Sequence, residues 1–192
     1  LAGDDGATFT LARQFRNGVT TALRCWSSAC QRRTLFRGDP GREILPVQLV
    51  LFNRGETPVR FSRTRAQLEL PGRTVLRALP PSAVASRLQH SDLAAVIIQT
   101  ATLGCGGRIA QAVSVAQERE NRKRRQAVRT CSMELATVDP GEALTGFVFF
   151  ELPKHARKGG DLPGTARFVI THLPCSNGEH LTFRVDMPVD EP

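Results

Sequence analysis

Three groups of residues in this chain have types and spacings that could do chemistry. His172, Cys175 and His180 lie close together near the end of the sequence, and with Cys131 or His155 they could complete a zinc or copper ligand set. A metal needs its ligands to converge at fixed distances. The local pattern instead puts His172 in a strand and leaves Cys175 and His180 flanking a turn, so the reading is surface histidines beside a structural or free cysteine, with no metal assigned. A Cys/His nucleophilic pair fares worse, because nothing marks an orienting third residue or an oxyanion hole. The second group is Gly104-Cys105-Gly106-Gly107 ahead of a helical pattern. Backbone N–H groups there could cradle an anion, but the P-loop Lys-Ser/Thr is missing, and a turn between helices is the simpler expectation.

The third group is the sharpest. Arg119, Arg122, Lys123, Arg124, Arg125 and Arg129 crowd one stretch in which Glu118 and Glu120 are the only acids. On a helix these side chains form a dense positive zone. Such a zone is either a solvated exterior or a contact for acidic protein, anionic lipid head groups, lipopolysaccharide or nucleic-acid phosphate. These six residues are the expected binding site. There is no Walker loop, dinucleotide fingerprint, HExxH or GxSxG, so no catalytic residue and no cofactor is assigned, and the expectation is a protein that is not an enzyme.

The net charge of +8 over 192 residues invites a nucleic-acid reading. Two features weigh against it. Lysine occurs only at Lys123, Lys154 and Lys158, an arginine bias that a GC-rich genome produces by itself. One Trp (Trp26) and no Tyr make a poor base-stacking platform. The longest apolar run, Leu93 to Ile98, falls well short of the roughly 20 residues that span a bilayer. The five cysteines, Cys25, Cys30, Cys105, Cys131 and Cys175, include no CxxC pair. Buried thiols in a reducing compartment and one or two disulfides in an oxidising one fit them about equally. The chain opens Leu1-Ala2-Gly3 without Met, which suggests a leader either removed or left out of this sequence. That tripeptide is like the residues before the lipidated Cys of a bacterial lipoprotein, although Asp4 stands where the Cys would be.

These groups must be positioned by elements that the patterning locates. Ala7 to Phe15 reads as a strand, and Val19, Leu23 and Trp26 fit a strand or a short helix. Ile44 to Phe52 is a strand apolar on both faces, suited to the centre of a sandwich. Runs at 58–61, 68–70 and 75–79, separated by turn residues, continue a β-meander. From Ser82 to about Met133 proline is absent and helix formers dominate. Ser82 and Ser91-Asp92 can cap helices, and a longer helix from Arg108 turns polar at 117–126 before Ala127, Val128 and Cys131 restore an apolar face. Strands return at 144–152, 166–173 and 181–187, with a charged loop at 154–164.

The expected architecture is therefore mainly β with an α insertion: residues 1–192 as a single β-sandwich domain, interrupted by a helical segment at 82–133. Two phrases carry a family resemblance. Val47-Gln48-Leu49-Val50-Leu51-Phe52-Asn53 followed by Pro58-Val59, and Asp139-Pro140-Gly141-Glu142 leading through Gly146 to Phe147, Phe149 and Phe150, resemble the central hairpin and late strand of bacterial immunoglobulin-like accessory domains of envelope proteins. The resemblance covers about half the chain. It implies an immunoglobulin-like antiparallel sandwich, a periplasmic or outer-membrane-associated location, and another envelope protein or anionic surface as partner. The competing expectation is a nucleic-acid-binding protein that uses the arginine-rich helix.

Overall fold

The structure is a computed structural model that describes residues 12–26, 34–35, 43–87, 107–153 and 165–188; for 107–117 and 120 it describes backbone only. Ten strands carry the fold: β1 (Ala12–Arg16), β2 (Val19–Cys25), β3 (Ile44–Asn53), β4 (Val59–Ser62), β5 (Ala66–Leu70), β6 (Thr74–Leu79), β7 (Leu135–Val138), β8 (Ala143–Glu151), β9 (Thr165–Pro174) and β10 (His180–Pro188). Helix α1 covers 81–87 and α2 covers Gly107–Cys131. The expectation of a mainly antiparallel β fold with a helical insertion holds.

Eight strands form one antiparallel sheet in the order β1-β2-β3-β8-β6-β5-β9-β10, and β4 pairs with β7 in a second, two-stranded sheet. Strands before the insertion pair with strands after it: β3 with β8, β5 with β9, and β4 with β7. Strand β6 makes the corner. Its residues 74–77 pair with β5, whereas Ala78 and Leu79 pair with β8, and a strand shared in this way turns a sheet back on itself. At the far ends β1 and β10 come side by side. Arg16 Nη1 donates to Thr182 O (3.1 Å) and Arg184 N donates to Gln14 Oε1 (2.8 Å). The sheet is thus nearly closed, and these side-chain links blunt edges that would otherwise invite foreign strands.

Inside the curl lies one core. Leu23, Leu45, Val47, Leu49 and Phe150 face Leu68, Phe168, Ile170, Phe183 and Val185, with Phe150 and Phe168 meeting edge to face at 5.9 Å. The outer face of β3 and β8 is also apolar, because Ile44, Phe147 and Phe149 pack beneath Val84 of α1 and Val128 of α2. Strand β3 is therefore two-sided for a reason that alternation alone does not give: one face fills the curled sheet and the other seats the helices.

Local sequence explains the joints. Asn17 and Gly18 both have positive φ (44° and 79°), a two-residue hairpin turn between β1 and β2. A side chain at Gly18 would also collide with the Gly55 backbone, 2.6 Å away from the position its Cβ would take. Helix α1 begins a residue before the expected Ser82 cap, with Pro81 in its first turn, where the missing N–H costs nothing. Pro80 O takes the first helical hydrogen bonds, from Ala83 and Val84. The segment Ser91–Thr100 and Gly104–Gly106, where a second helix and a turn are expected, lie outside the described residues.

Candidate functional site

Helix α2 carries all six expected binding residues. Its sequence is rich in Arg, Gln, Glu and Ala and free of Pro and interior Gly, which favours a helix even through the wholly polar stretch at 117–126. The C-terminal end is fixed to the sheet. Val128 is buried against Ile44, Phe147 and Phe149, with Cys131 packed beside it. Ser132 N (3.0 Å) and the Ser132 hydroxyl donate to Val128 O, and Met133 N donates to Phe147 O at 2.9 Å. Gly146 makes this approach possible, since a Cβ there would come within 3.0 Å of Cys131 O and would overlap the Met133 side chain. Gly146 is thus the point at which β8 admits the end of this helix.

Docking at Val128 and Cys131 sets the rotational phase of the helix. Asn121, Arg124, Ala127 and Cys131 are half-buried and Val128 is buried, so they mark the face turned to the body. Arg119, Arg122, Lys123, Arg125, Gln126 and Arg129 are exposed. At about 100° per residue, Arg122, Arg125 and Arg129 fall within an arc of roughly 60°. With Gln126 they line an open cleft of about 410 Å³. Lys123 projects about 100° from the nearest member of that stripe, Arg124 points toward the body, and Arg119 lies one helical turn before Arg122, about 60° around from it and outside the cleft lining. Three of the six cations line the cleft, Arg119 stands one turn beyond it, and Lys123 and Arg124 face elsewhere. The stripe runs for about 10 Å along the axis. Arg125 and Arg129 also sit in the last turns of α2, where positive charge complements the helix dipole. Gln126, which sequence reading passed over, belongs to the cleft because it lies one helical turn from both Arg122 and Arg129.

The other two groups behave differently. His172 and His180 meet across β9 and β10 with ring centroids 5.9 Å apart, both exposed. His172 has a positive φ of 51° beside an irregularity in the β9–β10 register, and its carbonyl accepts a hydrogen bond from Arg65 Nη1. Cys175 is directed elsewhere: it packs on the core and lines a separate cleft of about 210 Å³ with Asn17, Glu56, Asn177 and Glu179. Cys131 lies at the end of α2, and His155 falls outside the described residues. Among the described residues no three His, Cys, Asp or Glu side chains group so as to hold a metal ion.

Neither thiol is activated. Burial pushes Cys131 up to about 11, and burial together with the Glu179 carboxylate pushes Cys175 up as well. Both are therefore protonated at neutral pH and poor nucleophiles. Cys30 and Cys105, and with them the small loop that Cys25 and Cys30 could close, lie outside the described residues.

The residue at the end of β3 is structural. Asn53 is 1% exposed. Its Nδ2 donates to Thr57 O and Val138 O, both at 2.9 Å, and its Oδ1 accepts from Gly55 N at 3.0 Å. Its backbone N donates to Glu142 O and its carbonyl accepts from Gly141 N. The side chain thereby ties the turn after β3 to the end of β7, and the backbone of the same residue ties both to the turn into β8. No described helix is long and apolar enough to cross a membrane. Neither a family model nor a curated protein matches this sequence.

Proposed function

We propose that this chain is a non-catalytic interaction or assembly module of the bacterial cell envelope, periplasmic or associated with the outer membrane, which presents the basic surface of α2 to an anionic partner. The observation that carries the reading is the helix itself. Its end is held to β8 by Val128, Ser132 and Met133, while Arg122, Arg125 and Arg129 stand exposed along one stripe. A charged surface on a fixed element can dictate the orientation of a partner, and not merely attract one.

In this reading the curled sheet is an immunoglobulin-like sandwich, with β2, β3 and β8 in one layer and β5, β9 and β10 in the other. Support comes from the single core between those two sets of strands and from the corner at β6. The envelope address rests on the resemblance of the hairpin ending in Asn53 and of the strand from Asp139 to Leu152. The protonated thiols at 131 and 175 favour a binding role over a chemical one.

Retention on an immobilised polyanion such as heparin tests the functional reading. The protein should be held at about 150 mM salt and released as salt rises, because exposed charges are screened within about 8 Å at that ionic strength. Reversing the charge at Arg122, Arg125 and Arg129 to Glu should shift elution to markedly lower salt. Passage of the unaltered protein through the resin at about 150 mM salt would sink the reading. Duplex DNA should bind no tighter than the non-specific range, roughly micromolar or weaker; a sub-micromolar complex would favour the nucleic-acid alternative. Recovery of the native protein from the cytoplasm after cell fractionation would refute the address.

A further inference from the structure

We infer that the Arg122–Arg125–Arg129 stripe is a discrete site for a compact ligand bearing two or more linked phosphate groups. This inference rests on the reading of α2 as an anion-binding surface and narrows it.

Four observations lead there. First, the three guanidiniums with Gln126 line a concavity of about 410 Å³, a size in the range of small-ligand clefts, whereas a wide sheet of charge would suit a large flat anion. Second, the basic residues of α2 are divided by its phase. Lys123 leaves the stripe, Arg124 turns inward, half-buried, and Arg119, a turn before Arg122, is not among the residues that line the cleft, so only part of the cationic surface of the helix belongs to it. Third, residues 117–126 contain no apolar side chain, so the stretch that carries Arg122 and Arg125 offers nothing to the acyl boundary of a bilayer. Fourth, among the described residues no aromatic side chain lines the cleft with the arginines. The single Trp, Trp26, is half-buried, donates its Nε1 hydrogen to Gln48 Oε1 and lies edge-on to Phe147. Among the described residues the stripe therefore lacks the aromatic platform that single-stranded nucleic acid uses for its bases.

The choice of phosphate over carboxylate follows from charge and geometry. Three arginines whose backbone positions are about 4.5 to 10 Å apart along the axis offer paired N–H donors to successive oxyanions, and a linked oligophosphate supplies several negative charges over a comparable span. A carboxylate brings one charge and satisfies one guanidinium. Gln126, uncharged, can donate to a bridging or terminal oxygen while adding no repulsion between cations.

The test uses the full chain and isothermal titration with orthophosphate, pyrophosphate and tripolyphosphate at about 50 and 150 mM salt. Expected is saturable one-to-one binding that tightens at least tenfold from orthophosphate to tripolyphosphate. Each of Arg122→Gln, Arg125→Gln and Arg129→Gln should weaken tripolyphosphate binding roughly tenfold. The variant Lys123→Gln removes a charge from α2 about 100° around the helix from the nearest stripe residue and should change it by less than about twofold. Circular dichroism of every variant checks that the fold is intact. Equal weakening by the control would overturn the site, because it would show diffuse attraction. Preference for anionic vesicles or duplex DNA over tripolyphosphate would overturn the compact-ligand assignment while leaving α2 an anion-binding helix. Absence of binding to any of these anions, together with passage through heparin, would refute both this inference and the reading on which it rests.

Discussion

Replacing Asn53 is the most searching test of how the two halves of the sheet are joined. Asn53→Leu keeps a similar volume and leaves the two backbone hydrogen bonds of residue 53 in place, but it removes the three made by the side chain. Val138 O is buried and loses its partner from Nδ2, at a cost of about 1–3 kcal/mol. Thr57 O and Gly55 N are partly buried, and their losses cost about 0.5–1.5 kcal/mol each. The expected destabilisation is roughly 2–6 kcal/mol, a large part of a typical total of about 5–15 kcal/mol. Asn53→Asp separates chemistry from packing, since it is isosteric and replaces the donor with an oxygen. At pH 7 a buried carboxylate would face two carbonyl oxygens, which raises its folded-state pKa above the unfolded value of about 3.9. The folded variant then binds the extra proton more tightly than its unfolded chain. Its stability relative to the native protein must rise as the pH falls through that raised value. Urea unfolding followed by Trp26 fluorescence at pH 7 and pH 5 measures both effects. If Asn53→Asp is within about 1 kcal/mol of the native protein at pH 7, or shows no relative gain on acidification, the hydrogen-bond account of this joint is wrong.

Two further outcomes follow from side chains already described. The Thr21 hydroxyl is buried, without a hydrogen-bond partner among the described residues; Thr21→Val keeps the shape and should raise stability by about 0.5–2 kcal/mol in the same urea assay, and a loss of stability would show that the hydroxyl has a partner. For Cys131, a thiol raised from an ordinary 9.0 to about 11 has about a hundredfold less thiolate at pH 8. Peptide mapping after iodoacetamide treatment should show it labelled about a hundred times more slowly in the folded than in the unfolded protein. Because the folded state retains this proton while the unfolded state loses it, stability should fall as pH rises from about 9 to 11; equal labelling in both states would disprove the burial of the last turn of α2.

Strands whose side chains alternate between burial and solvent are legible in the sequence, and so is β3, where both faces are apolar. What occupied the second face of β3 was not legible, because Ile44, Phe147 and Phe149 meet Val84 and Val128 across large sequence separations. Strand β7 escaped notice for a local reason. It has four residues, only Val138 is buried, and Leu135 points to solvent at 60% exposure. Its existence depends on pairing with β4 and on the hydrogen bond from Arg63 N to Glu134 O. The β1–β2 hairpin is a different case. Asn17-Gly18 between apolar-containing runs is a strong two-residue turn signal, and it would have settled the choice between strand and helix for Val19–Cys25. In the candidate site the residue types were plain, but their sorting required the phase of the helix.

That phase gives a perturbation that changes the site without changing its composition. Insertion of one alanine between Gln126 and Ala127 leaves Val128, Cys131 and Met133 docked as before, and adds no charge. Every residue upstream is rotated by about 100° relative to the docked end and displaced by about 1.5 Å. Arg122 and Arg125 then swing onto the face turned to the body. Lys123 takes the former place of Arg122, Gln126 that of Arg125, and only Arg129 keeps its position. Net charge and helix length are conserved to within one neutral residue, so attraction arising from bulk charge would be unaffected. A stripe built from guanidiniums in register would lose two of its three members and gain one ammonium, which offers no paired donor edge. Binding of tripolyphosphate should then fall by at least tenfold while retention on heparin changes little. If both measurements stay the same, the arginines act as a charge cloud and the register of α2 carries no information. If both collapse with the fold intact by circular dichroism, the heparin contact uses the same stripe and the two properties are one.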